Sequence, residues 1–180
     1  MAAPEFDAGP VAVRRIEPLA VIALRHLPGA GEALAAALRA AGLPGAPGPG
    51  QLLGQGPWAL WRSPGEVLLL DTGRAAADAA AAALADATLA CAIEVSDGLL
   101  GLELRGSQVD ELLRRLVDSH SLPLGPGSAG RARLADIAVT LVRHAPDRIW
   151  LLAERSHGHY VATWMAYAGE ALTAGRSRSP

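Results

Sequence analysis

The chain has 180 residues, 51% of them apolar, with 16 basic against 18 acidic side chains and a formal net charge of −2. That length supports a sizeable core without disulfide or metal staples. A pI near 6.2 excludes a chain built to neutralise phosphates, so no nucleic-acid partner is expected.

All 16 cations are arginine, and neither lysine nor asparagine occurs. This removes Schiff-base and pyridoxal chemistry, a Walker-type phosphate lysine and N-glycosylation. The single cysteine, Cys91, has no intrachain disulfide partner, and a cysteine-based zinc cluster needs more thiols. Residues 1–10 read as a flexible tail lacking the basic start and apolar run of a secretory signal. The alanine-rich stretch Ala75 to Ala90 is interrupted by Asp78 and Asp86 and is too weakly apolar to span a bilayer. A cytoplasmic protein with no membrane partner is the expectation.

In chain order, Leu19 to Leu27 predicts a strand, and Gly31 to Ala41 a helix with Leu34, Ala37, Leu38 and Ala41 on one face. Pro44 to Gly50 alternates residues that lack a donor with residues that lack a side chain, and so predicts a loop. Trp58 to Arg62 and Val67 to Asp71 flank Ser63-Pro64-Gly65-Glu66 as a hairpin. Thr72 is placed to cap a helix from Gly73 to about Ala87, and Leu89 to Val95 reads as a strand.

This order is the ferredoxin-like β-α-β-β-α-β motif, and the second half starts it again. Leu99 to Leu104 predicts a strand. Ser107 and Asp110 have capping-box spacing before a helix carrying Val109, Leu112, Leu113, Leu116 and Val117. After an irregular stretch, Ile137 to Arg143 and Arg148 to Ala153 form a second hairpin. A last helix, Ser156 to Leu172, carries the stripe Val161, Trp164, Met165, Ala168 and Leu172. The hairpins overlay with one residue of slip, Leu60-Trp61-Arg62 on Leu141-Val142-Arg143. The expected class is α+β, a duplication of ferredoxin-like β-α-β-β-α units sharing one core. It forms a single domain over residues 11–174 with pseudo-repeats at about 19–97 and 98–172, and a C-terminal tail at 175–180.

No residue set rises to a catalytic, cofactor-binding or metal-binding constellation. Gly125 to Gly130 matches G-x-G-x-x-G but follows a helix and leads into a strand, the reverse of a dinucleotide fingerprint. Gly29-Ala30-Gly31 precedes a helix but lacks the third glycine, so it reads as a turn. His157 and His159 fall at a helix start, where alternate residues diverge and no further ligand stands nearby. Asp118, Ser119 and His120 share letters with a hydrolytic triad, yet triads are assembled from distant segments. Trp58 and Trp61 stand three apart on one strand, so they point to opposite faces and one is expected at the surface. With Arg62 and the loop residues Pro47 and Pro49 they are the candidate partner contacts. An ordinary edge-strand tryptophan under the Pro/Gly loop is the alternative.

The block Glu94 to Gly98, then Leu102-Glu103-Leu104-Arg105-Gly106, then Val109 to Val117, resembles the folate-dependent aminomethyltransferase superfamily. Arg131 to Val139, Val142-Arg143 with Ile149 to Leu152, and Arg155-Ser156 with Tyr160, Trp164 and Met165 resemble the gamma subunit of heterotetrameric sarcosine oxidase, as does the hairpin Trp58 to Leu70. The resemblance implies an aminomethyltransferase-like fold and a non-catalytic role in a flavoenzyme that oxidatively demethylates sarcosine, or a related secondary amine, to glycine. It places FAD, FMN, NAD and tetrahydrofolate in larger alpha and beta subunits, zinc in a small delta subunit, and no cofactor in this chain. The larger relatives carry an acidic folate residue near this region, but Asp118 is followed by Ser119-His120-Ser121 rather than an apolar continuation. A free-standing folate-binding or one-carbon transfer protein is the alternative function.

Overall fold

The computed structural model describes residues 5–176. The chain divides into two compact units, one spanning residues 17–97, the other combining residues through 16 with those from 98 onward. It opens in the latter unit with β1 (Phe6–Ala8) and β2 (Val11–Arg15), paired antiparallel. This corrects the expectation of a flexible tail over 1–10, because Phe6 to Ala8 are held in a ladder and Ala8 is fully buried. Residues 1–4 of that tail lie outside the described residues.

The unit 17–97 runs β3 (Ala20–His26), α1 (Gly31–Ala40), β4 (Leu52–Gly54), β5 (Trp58–Ser63), β6 (Glu66–Asp71), α2 (Ala75–Ala83) and β7 (Ala90–Glu94). Its antiparallel sheet has the order β4-β5-β6-β3-β7. With β6 and β7 on either side of β3, this is the ferredoxin-like arrangement with β4 added at one edge. Alternation sends Ile22, Leu24, Val67 and Leu69 to one face, where they pack with Leu34, Ala37 and Leu38 of α1 and Ala77 and Ala80 of α2.

Alanine's helix propensity accounts for α2, but its cap is not Thr72. The buried carboxylate of Asp71, ending β6, accepts hydrogen bonds from the backbone N–H groups of Gly73 (2.8 Å), Ala76 (2.8 Å) and Ala77 (3.3 Å). It thereby satisfies donors that a helix start leaves open.

The other unit continues with β8 (Leu99–Arg105), α3 (Val109–Arg114), β9 (Ser128–Leu134), β10 (Ile137–Ala145), β11 (Arg148–Glu154) and α4 (Gly158–Arg176). Its antiparallel sheet has the order β1-β2-β8-β11-β10-β9. The strand beside β8, which β7 supplies beside β3 in the first unit, here comes from the start of the chain as β2. Helix-side residues Leu102, Leu104, Leu141, Ile149 and Leu151 pack with Leu112 and Leu113 of α3 and Val161 and Met165 of α4. Each unit has a hydrophobic cluster between its sheet and its helices. Both hairpins break register at the same place, between Trp61 and Ser63 and between Arg143 and Ala145.

The capping box expected at Ser107 and Asp110 does not form, since no side chain caps α3. Asp110 instead pairs with Arg143. A short 3₁₀ turn, Arg155–His157, leads into α4, which runs past the expected Leu172 to Arg176. Residues 177–180 of the expected C-terminal tail lie outside the described residues. β1 lies so close to α4 that a Cβ on Gly169 would stand 2.3 Å from the carbonyl carbon of Ala8.

Candidate functional site

In the unit 17–97, register and alternation place Trp58, opposite Leu70, on the sheet face away from the helices. Trp61, opposite Val67, lies on the helix face. The two thus point to opposite faces, as their spacing predicts, and both indoles are half-buried. Arg62 is tied into the hairpin, its Nη1 3.1 Å from Oε1 of Glu66, whose Oε2 accepts from Nε of Arg25 at 2.8 Å. Of the two loop prolines, Pro49 is exposed and Pro47 is buried. Pro47 is therefore withdrawn as a contact residue, because its ring is already spent on packing.

At the start of α2, Arg74 donates from Nη1 and Nη2 to the two carboxylate oxygens of Glu94, each at 2.6 Å. This fork holds the Glu94 carboxyl down to about 2 and ties the helix to β7.

The second unit gathers a polar and aromatic cluster that sequence reasoning missed. Oε2 of Glu103 accepts from Nε of Arg148 at 2.5 Å and from the indole Nε1 of Trp150 at 3.0 Å, while Nη2 of Arg105 lies 3.4 Å from Oε1. The Arg148 guanidinium lies 5.8 Å from the Trp150 ring centroid, and the His144 ring 4.3 Å from it on the centroids. Burial opposes ionisation of Glu103, but the bonds from Trp150 and Arg148 outweigh it and hold the carboxyl below its ordinary range. Burial, reinforced by the Arg148 charge, pushes His144 down to about 4. At neutral pH the cluster is an ionised glutamate saturated with donors beside a neutral imidazole. It braces β8 against β11 and is poorly suited to move protons. The alternations Glu103-x-Arg105 and Arg148-x-Trp150 were visible in the sequence; the pairing of their strands was not.

Arg143, expected only as a hairpin residue, is almost fully buried on the helix face. It donates to the backbone carbonyls of Pro123 (2.6 Å) and Pro146 (2.9 Å) and to Asp110. The triad-like letters resolve into a turn, since Asp118 accepts from the backbone N–H of His120 at 2.8 Å and opens a 3₁₀ segment, Ser119–Ser121. His157 lies beside Glu154, with Nδ1 3.9 Å from its carboxylate. Gly125 to Gly130 is a turn entering β9, with the Ser128 hydroxyl bonded to the Gly125 carbonyl. Among the described residues no group of three or more His, Cys, Asp or Glu side chains could hold a metal ion. No helix among them is long and apolar enough to cross a membrane.

One sequence expectation is overturned on α4. Trp164, assigned to the core stripe, is 38% exposed, and beside it Tyr167 is 66% exposed. With Tyr160 they form an edge-to-face ladder at 6.2 and 6.1 Å. The buried face is Val161, Ala162, Met165, Ala168, Gly169 and Leu172.

No protein-family model matches the sequence, and no curated protein matches it. Solved structures do. A chain of the heterotetrameric sarcosine oxidase from Corynebacterium sp. U-96, in complex with pyrrole 2-carboxylate, superposes with a TM-score of 0.81 at 26% identity, covering 93% of this chain and 88% of that one. Aminomethyltransferase T of the glycine cleavage system from Bartonella henselae shares the fold, with a TM-score of 0.62 at 17% identity, over 87% of this chain and 45% of that one. The resemblance to heterotetrameric sarcosine oxidase drawn from the sequence therefore holds in three dimensions, and the α+β fold is aminomethyltransferase-like. This chain spans under half the length of the aminomethyltransferase.

Proposed function

We propose that this chain is a non-catalytic structural subunit of a sarcosine oxidase-like heterotetrameric flavoenzyme, which oxidatively demethylates sarcosine or a related secondary amine to glycine. The observation that carries the reading is a match of nearly whole chain to nearly whole chain, at 26% identity and a TM-score of 0.81, with a chain of such an enzyme. The partners are larger alpha and beta subunits that bind FAD, FMN, NAD and tetrahydrofolate, and a small zinc-binding delta subunit. This chain supplies surface rather than chemistry. The donor-rich carboxylates of Asp71 and Glu103 are spent on capping α2 and on joining β8 to β11.

The test is purification of the tagged full chain from its native cell, with the masses of co-purifying chains and the visible spectrum recorded together. Stoichiometric larger chains with flavin absorption are expected; a lone colourless chain refutes the reading. The competing reading, a free-standing folate-binding or one-carbon transfer protein, draws on the aminomethyltransferase-like fold. Submicromolar binding of tetrahydrofolate by the isolated chain in equilibrium dialysis would favour it. Trp58, Trp61, Arg62 and Pro49 stay the contact candidates. Loss of assembly in Trp58→Ala or Trp61→Ala supports them, and intact assembly in both removes them.

A further inference from the structure

The two sheets repeat one strand order, and the repeat is incomplete in one of them. In the first unit β3, β5, β6 and β7 hold the positions of β8, β10, β11 and β2 in the second, and β4 and β9 flank β5 and β10 alike. The second unit adds one more strand, β1, which covers the outer edge of β2 antiparallel through Phe6, Asp7 and Ala8. At the equivalent edge of the first unit β7 ends the sheet, with no strand paired to it among the described residues.

The direction of the free backbone groups follows from two bonds. Leu27 donates its N–H to the carbonyl of Leu89 at 2.8 Å, and Val95 donates to the carbonyl of Val21 at 2.9 Å. Odd-numbered residues of this strand thus turn their backbone groups toward β3, so Ala90, Ala92 and Glu94 turn theirs outward. Exposed edges are commonly guarded by lysine, proline or inward charges. β7 reads Ala-Cys-Ala-Ile-Glu, and its single charge is bound by Arg74. Ile93 is 37% exposed, Cys91 is exposed on the same side, and Leu89 (46%) and Leu27 (59%) adjoin them. On the other side lies α2, eight alanines and one aspartate, low enough in relief for a backbone to approach. Gly169 of α4 provides the same low relief for β1.

We propose that the outer edge of β7 is a strand-acceptor site, filled in the assembly by an extended segment of a larger partner subunit. That segment pairs antiparallel with Ala90, Ala92 and Glu94, as β1 pairs with β2. It lays apolar side chains along Cys91 and Ile93 and small ones toward α2. The proposal rests on the subunit reading above, which makes an unlike chain the occupant rather than a second copy.

The experiment compares amide hydrogen exchange of the full chain, free and in the flavin-bearing complex, and assembly of two variants. In the complex the amides of Ala92 and Glu94 are expected to exchange at least about 100-fold more slowly than in the free chain. Ala92→Pro, which removes an outward donor, and Ile93→Lys, which sets a charge on the apolar side, are each expected to weaken assembly about tenfold or more. Because an edge strand tolerates both changes, the free variants should keep the wild-type melting temperature. Unchanged exchange in the complex, or wild-type assembly by both variants, overturns the site. A free chain that sediments as a dimer with these amides already protected replaces the partner strand with a second β7. Failure of the wild-type chain to recruit any flavin-bearing chain instead refutes the subunit reading, and with it the occupant named here.

Discussion

Replacing Gly169 with alanine tests whether the start of the chain belongs to the fold. In a helix interior the change ordinarily stabilises by about 0.5–1 kcal/mol, because alanine loses less backbone entropy. Here the added Cβ would meet the carbonyl carbon of Ala8 at 2.3 Å, its Cα at 2.6 Å and the nitrogen of Gly9 at 2.7 Å. Carbon atoms in good contact sit about 3.5–4.0 Å apart, so β1 or α4 must shift by about an ångström. All three obstructing atoms are backbone, and no rotamer relieves them. The shift loosens the packing of Ala8, Met165, Ala168 and Leu172, and overpacking of this kind costs about 1–3 kcal/mol. The net expectation is a loss of about 1 kcal/mol, or a fall in Tm of about 2–4 °C for a chain of this size. Thermal unfolding followed by circular dichroism reads it, with Gly31→Ala as control, since no heavy atom lies within 4 Å of that added Cβ. A Gly169→Ala protein at or above the wild-type Tm would refute the docking of β1 on α4.

Asp71→Ala should cost about 1–2 kcal/mol in urea unfolding by uncapping α2, and Thr72→Ala less than about 0.5 kcal/mol; equal effects would return the cap to Thr72. Asp110→Ala leaves the buried Arg143 without its carboxylate and should cost about 2 kcal/mol, discounted from a fully buried pair because Asp110 is partly exposed. Ser107→Ala should be nearly neutral, and the reverse ranking would restore the capping box. His144 has its pKa pushed down to about 4, below the ordinary value near 6.5, so between those values the unfolded chain binds more protons than the folded one. Stability should therefore fall as pH drops from about 6.5 to 4, and His144→Phe should flatten that limb; an imidazole titrating near 6.5 by NMR would contradict it. Glu103, held below its ordinary range, contributes stability that is present above the unfolded carboxylate pKa and lost as pH falls through the folded one. Glu103→Gln should flatten the most acid part of the curve, and an unchanged profile would count against the Arg148 and Trp150 bonds.

What was legible in the sequence was local. Strands β3, β5, β6, β8, β10 and β11 announce themselves by runs of apolar residues, and a hairpin's partner is its neighbour in the chain. The helices follow from period, and the repeat from the recurrence of that order. β1, β2, β4 and β9 are short or carry arginines and glycine, so their apolar signal is weak. β2 pairs with a strand nearly a hundred residues later, a partner that no window of sequence contains. The same non-local step hid the Glu103 cluster, whose members become neighbours only once β8 lies beside β11. Trp164 was misplaced for a related reason. A 3.6-residue period names a stripe but not its centre: Gly169, against β1, faces inward, Ala162 is buried, and the indole is partly exposed. The sequence by itself determined the α+β class and the duplicated order of elements, because periodicity and hairpin turns are properties of neighbouring residues, and its spaced residues already resembled those of a sarcosine oxidase subunit. Only the tertiary structure decided which strand completes each sheet, which face of α4 meets solvent and which edge stays open, because those depend on backbones meeting across long loops of chain.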